Sequence, residues 1–151
     1  MPPQGPPDVD VRRARIEEIR PLALEYREEQ ESQFGAPGNP PLPQGGIFWL
    51  AVDADDERPL GYAAGTLRPT GCTVGPIFTR AEARRRGVGE ALLLGIQHWA
   101  QQTRVPVVEI SVAAANEGGL RFLEALGYVP RRVLMSMTPE GGPTHTDESD
   151  A

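Results

Sequence analysis

Residues 83–93 read Ala83-Arg84-Arg85-Arg86-Gly87-Val88-Gly89-Glu90-Ala91-Leu92-Leu93. Three arginines run into two glycines and then into an apolar pattern at helical spacing. Val88, Leu92, Ile96 and Trp99 fall on one face of a helix expected from Gly87 to Thr103. A helix start exposes unpaired backbone N–H groups and the positive end of the helix dipole. Glycines lack a Cβ, so an anion can come close to the main chain. Arginines add charge and directional donors for phosphate oxygens. The stretch therefore describes a pyrophosphate cradle, with a basic helix start on the surface as the plainer alternative. Two other phosphate motifs are excluded. A dinucleotide fingerprint needs a third glycine where Leu92 stands, and a Walker loop needs a lysine that this chain does not contain.

The rest of the composition narrows the partners. All 15 basic residues are arginine, so Schiff-base lysine chemistry is absent. The net charge of −6 argues against general nucleic-acid binding, which depends on neutralising phosphates, and mildly favours cationic partners such as amines. Cys72 is the single cysteine, which excludes an internal disulfide and fits a reducing cytoplasm. One cysteine and the distant His98 and His145 make no zinc site, and no metal is expected. No window approaches 18 apolar residues, so no membrane span is expected. "MPPQGPPDVD" has neither basic residues nor an apolar run and does not read as a secretory signal. At 151 residues the chain fits one domain, 9–138, between a proline-rich tail (1–8) and an acidic tail (139–151), both expected to be disordered.

Along that domain, "DVDVRR" alternates like a strand. In the segment that follows, Ile16, Ile19, Leu22, Ala23 and Tyr26 recur at helical spacing, with a kink or restart expected at Pro21. Residues 35–46 are rich in proline and glycine and read as a long loop. "GIFWLAVDAD" and "PLGYAAGTLR" are strands joined by an acidic turn, Asp53–Pro59. "CTVGPIFT" is a third strand, in which Gly75-Pro76 marks a bulge or an edge. After the Gly87 helix come a strand "VPVVEISVAAAN", a short helix "EGGLRFLEALGY" stopped by Gly127, and a closing strand "RRVLMSMT". Gly118-Gly119 weakens the first turn of the short helix by about 1 kcal/mol per glycine. The order is β-α-(α)-β-β-β-α-β-α-β, an α/β chain with a mixed sheet and helices on its faces.

"IFTRAEARRRGVGEALL" resembles motif A of the GNAT (Gcn5-related) N-acetyltransferases, Arg/Gln-x-x-Gly-x-Gly/Ala after a strand, here Arg84-Arg85-Arg86-Gly87-Val88-Gly89. "NEGGLRFLEALGY" resembles the family's Asn-x-x-Ala-x-x-x-Tyr-x-x-x-Gly-Phe block, and "VVEISV" fits as the strand between them. The resemblance covers about residues 9–138. It implies a central, mostly antiparallel twisted sheet splayed at the motif A strand, helices on both faces, and acetyl-CoA as co-substrate. It implies that the amides of Arg85, Arg86, Gly87, Val88, Gly89 and Glu90, with the Arg84 that opens the motif, hold the pyrophosphate. Ile77, Phe78 and Thr79 match the strand whose main chain pairs with the pantetheine arm. Asn116 matches the residue near the thiol, and the Ile77 amide the group that polarises the thioester carbonyl.

Two expected side chains are missing. The position of the family's acidic tyrosine holds Leu123, and that of its strand glutamate falls near Thr73. Tyr128 reads as a core ring with a polar tip, while Tyr26 and Tyr62 have no spacing that places them at the thiol. Glu25, Glu28, Glu29 and Glu31 form either an amine-holding face or, more simply, a solvated one. Cys72 reads as a small buried residue, His98 as partly exposed, and Trp49 and Trp99 as core. The resemblance implies transfer of an acetyl group to a primary amine of a small molecule or peptide by direct attack. A non-catalytic acyl-CoA sensor is the alternative, and a homodimer fits the short closing strand.

Overall fold

An unbroken apolar run gives Ile47–Asp53 (β2) two buried faces, and among the described residues this strand belongs to a sheet of five. The computed structural model describes residues 7–34, 42, 45–112, 114, 117–135, 137 and 139. It forms two compact units, 1–111 and 112–151. Most of both expected tails, most of the 35–46 loop and Asn116 lie outside the described residues.

In the first unit the strands are β1 (Val9–Ala14), β2, β3 (Pro59–Arg68), β4 (Gly71–Thr79) and β5 (Val108–Ile110), in that spatial order. The first four pair antiparallel and β5 joins β4 in parallel. The sheet is thus mixed, twisted and mostly antiparallel, with a helix on each face. On one face α2 (Val88–Thr103) buries Val88, Ala91, Leu92 and Ile96 against Trp49, Ala51, Ala63, Cys72 and Val74. On the other, α1 (Ile16–Phe34) buries Ile19 and Leu22 against Phe48, Leu50, Tyr62 and Phe78.

α1 runs through Pro21 as one helix rather than restarting there. An interior proline costs about 3 kcal/mol. Full burial of Ile19 and Leu22, which flank it, contributes about 1.5–3 kcal/mol each and offsets that cost. The helix start is held by Glu18, whose Oε2 accepts the Arg15 N–H at 2.9 Å, half of a capping box.

Gly75-Pro76 does mark a bulge. Ala63 faces Ile77 across the β3–β4 ladder, but Gly65 faces Val74, so β4 carries one extra residue there, at a cis Gly75-Pro76 bond. The slip reverses the strand's alternation. Cys72 and Val74 point to the α2 face, whereas Phe78 joins the α1 face.

The second unit holds α3 (Glu117–Ala125), which ends at Leu126-Gly127 with the Gly127 N–H donating to Glu124 O. The closing strand expected over 131–138 is not formed in its described part. Arg131–Met135 has no regular structure, and Val133, Leu134 and Met135 are exposed, so no apolar face holds them in a ladder. "VPVVEISVAAAN" likewise shortens to β5 and its flanking residues.

Candidate functional site

β4 leads directly into the Arg84–Gly89 stretch. Arg80 follows the strand and precedes a short 3-10 turn (Ala81–Ala83), and Arg84 to Gly87 turn the chain into α2. Arg85 has φ +69° and Gly87 φ +80°, so two left-handed residues bracket Arg86. The first helical bond of α2 runs from Ala91 N to Gly87 O. The amides of Val88, Gly89 and Glu90 therefore have no helical carbonyl below them, and among the described residues no side chain caps them. A Cβ built on Gly89 meets nothing within 4 Å. The fold does not need glycine there, and the space at that Cβ position is open.

The edge of β4 next to this turn is also open. β5 pairs with Cys72 to Val74, and the Ser111 N–H reaches Val74 O at 3.4 Å. Beyond that point no described strand lies against the outer edge of Gly75–Thr79. The Arg80 N–H donates to Leu60 O, toward β3. By alternation, the amides of Ile77 and Thr79 face the open edge and that of Phe78 faces β3. The Thr79 carbonyl on that edge accepts from Arg84 Nε at 3.2 Å. Ile77, Phe78 and Thr79 thus lie on the strand that the Arg84–Glu90 turn follows.

The three arginines differ in their bonds. Arg84 Nη2 donates to both carboxylate oxygens of Glu29, each at 2.7 Å. Arg86 Nη2 donates to Asp53 Oδ2 at 3.0 Å and Asp8 Oδ2 at 3.1 Å. Arg85 is exposed and makes no hydrogen bond or ion pair among the described residues. Neither Asp8 nor Asp53 carries a local signal for this role, because both lie far from Arg86 in the chain.

The acidic face of α1 is mostly committed. Glu25 pairs with Arg80 at 3.0 Å, Glu29 with Arg84, and Glu31 with Arg27 at 3.0 Å, while Glu28 is exposed. Two arginines four apart on the β4 exit meet two glutamates four apart on α1, a match invisible in either segment alone. Tyr26 and Tyr62 come together around Phe78, with ring centroids 5.2 and 6.1 Å from it. Burial raises both phenols above their ordinary range, with a smaller push on Tyr26 from Glu29. Cys72 is buried beside Trp49, and burial raises its thiol, which suits packing and not nucleophilic attack. Thr73 lies in the β4 ladder between Thr66 and Glu109. His98 is exposed on α2. In the second unit Leu123 is buried on α3, and burial raises the Tyr128 phenol. Among the described residues no helix is long and apolar enough to cross a membrane, and no group of three His, Cys, Asp or Glu could hold a metal ion.

These features define an α/β protein with an uncapped helix start beside a parted sheet edge. The sequence model of the Acetyltransferase (GNAT) family matches residues 14–128, and the chain belongs to that family. Among solved structures, a tetramutant of the BH1408 protein from Bacillus halodurans is similar at a TM-score of 0.63 and 21% identity, covering 85% of this chain and 99% of that one. A transcriptional regulator from Bacillus halodurans C-125 gives 0.64 and 17%, over 86% and 99%. A Trypanosoma brucei acetyltransferase gives 0.61 and 16%, over 87% and 99%. At these identities the likeness is one of fold. No curated protein matches the chain.

Proposed function

We propose that the chain transfers an acetyl group from acetyl-CoA to a primary amine of a small molecule or peptide, by direct attack of the neutral amine on the thioester. The observation that carries the reading is the uncapped start of α2, with open space at Gly89, next to the unpaired edge of β4. In this reading the amides of Arg85 to Glu90 hold the pyrophosphate. The outward amides of Ile77 and Thr79 pair with the pantetheine arm, and the Ile77 amide polarises the thioester carbonyl as charge develops. The family resemblance assigns Asn116 to the thiol end of the cofactor. Holding the two reactants in line supplies much of the acceleration, so the leucine at 123 does not preclude turnover.

A sensor that binds acyl-CoA without turnover is the second reading. It is favoured by the aliphatic Leu123 and by the phenols of Tyr26 and Tyr62, which burial makes poorer acids. Isothermal titration with acetyl-CoA and CoA, followed by thiol release with a panel of amines, tests both. Absence of binding removes both readings, and binding without release on any amine favours the sensor.

A further inference from the structure

We propose that Arg86 is a positioning residue that holds the Arg84–Gly87 turn in shape through Asp53 and Asp8, leaving Arg85 as the arginine of the triplet that meets ligand phosphate. The proposal rests on the reading of the α2 start as the donor cradle.

The turn is not one the chain adopts unaided. A left-handed conformation costs a non-glycine residue roughly 1–2 kcal/mol, and Arg85 adopts it with no side-chain bond to repay it. The neighbouring Gly87 is left-handed as well, so the path of the turn depends on what fixes Arg86 between them. The guanidinium of Arg86 is bonded at one corner of the sheet. Asp53 ends β2 and Asp8 precedes β1, and the corner is closed by the Ala54 N–H donating to Asp8 O at 2.9 Å.

Asp53 is prepared for this partner. Its Oδ1 accepts the N–H groups of Asp55 at 2.8 Å and Asp56 at 3.2 Å, which fixes the carboxylate plane and leaves Oδ2 for Arg86. The Asp53 side chain is 14% exposed and that of Arg86 25%. A charge-assisted pair so shielded is stronger and less screened than one at the surface. Arg58 adds a weaker contact to the same Oδ2 at 3.9 Å. Arg84 is committed as well, to Glu29 and to Thr79 O. Two of the three arginines therefore tie the turn to the fold, Arg84 to α1 and Arg86 to the corner where β1 begins and β2 ends.

The test compares Arg86→Ala, Arg86→Lys, Asp53→Ser and Arg85→Ala in the full chain. Serine keeps an oxygen for the Asp55 and Asp56 amides while removing the acceptor for Arg86. CoA affinity is measured by titration at several salt concentrations. The amide shifts of Gly87 and Gly89 are measured in the ligand-free proteins, where thermal melts also verify folding. Arg86→Ala and Asp53→Ser should each weaken CoA about tenfold, about 1.4 kcal/mol, with the wild-type salt dependence, and the double variant should lose no more than either. Both should move the two glycine amides without ligand, and Arg86→Lys should recover part of each change. Arg85→Ala should weaken CoA with a shallower salt dependence and leave the free amides in place. Arg86→Ala that flattens the salt dependence without moving the amides would make Arg86 a ligand contact and overturn the proposal. Unmoved amides in Asp53→Ser would overturn it too. If wild type binds no CoA, the cradle reading fails, while the ligand-free shifts still decide whether Arg86 holds the turn.

Discussion

Both carboxylate oxygens of Glu29 lie 2.7 Å from Nη2 of Arg84, joining the middle of α1 to the turn that starts α2. The pair is partly exposed, at 26% and 44% of the two side chains, so screening limits it to about 1 kcal/mol at most. We expect Glu29→Gln to lower the melting temperature by about 4 °C at most. The KM for any amine acceptor should stay near its wild-type value, because this carboxylate is already engaged. A large rise in acceptor KM at unchanged stability would instead make Glu29 an amine ligand.

Gly89 separates fold from ligand. A Cβ there meets no protein atom, and alanine favours a helix over glycine by up to about 1 kcal/mol. Gly89→Ala should therefore melt at the wild-type temperature or slightly above it, yet bind CoA more weakly, and Gly89→Glu should abolish binding. Gly87 differs because its φ is +80°, so Gly87→Ala also loses about 1–2 kcal/mol of stability. Titration calorimetry beside thermal melts reads the contrast. Normal CoA binding by the two glutamate variants at 87 and 89 would exclude the cradle.

Gly61 has the opposite reason to be glycine. A Cβ there would collide with the Phe78 carbonyl oxygen and stand 3.0 Å from Val88 Cγ1, where β4 and the start of α2 press against β3. Backbone cannot yield as a flexible side chain does. Gly61→Ala should destabilise by at least about 1–3 kcal/mol in urea unfolding. An unchanged midpoint would mean that the sheet relaxes freely at this point.

Acid should act through Glu18. The Arg12 side chain, and next the Arg15 N–H, hold its carboxyl at about 2, below the ordinary 4.5. A depressed folded value makes its contribution complete above about pH 4.5 and lost as pH falls toward 2. Glu18→Gln should be less stable than wild type at pH 7, with the gap closing as the medium is acidified. A gap that stays constant from pH 7 to pH 2 would rule out the carboxylate as its source.

Cys72 should be silent. It is buried and its thiol is raised by desolvation, so a thiol reagent should label the native protein far more slowly than the urea-unfolded chain. Cys72→Ala should keep its turnover or CoA binding. Loss of turnover in a variant that still folds and binds CoA would instead make Cys72 a nucleophile.

The elements set by local pattern are legible in the amino-acid order alone: the short apolar run of Ile47–Asp53, the helical face of Val88, Leu92 and Ile96, and the bulge at Gly75-Pro76. Each follows from neighbours a few residues apart, where backbone geometry alone decides. Expectations that needed distant support fared differently. The continuity of α1 through Pro21 depends on the sheet that buries Ile19 and Leu22, and residues 131–135 lack the burial that would make them a strand.

By itself the sequence determined where a turn of arginine and glycine opens an apolar helical pattern, because that pattern is set by neighbours a few residues apart. It could not distinguish Arg84, Arg85 and Arg86, which are chemically identical neighbours. Only the tertiary structure did so, by carrying Glu29 and Asp53 from 55 and 33 residues away to two of the three and leaving Arg85 exposed. Ion pairing is chosen by proximity in space, and proximity between distant segments exists only once the sheet and its two helices have packed.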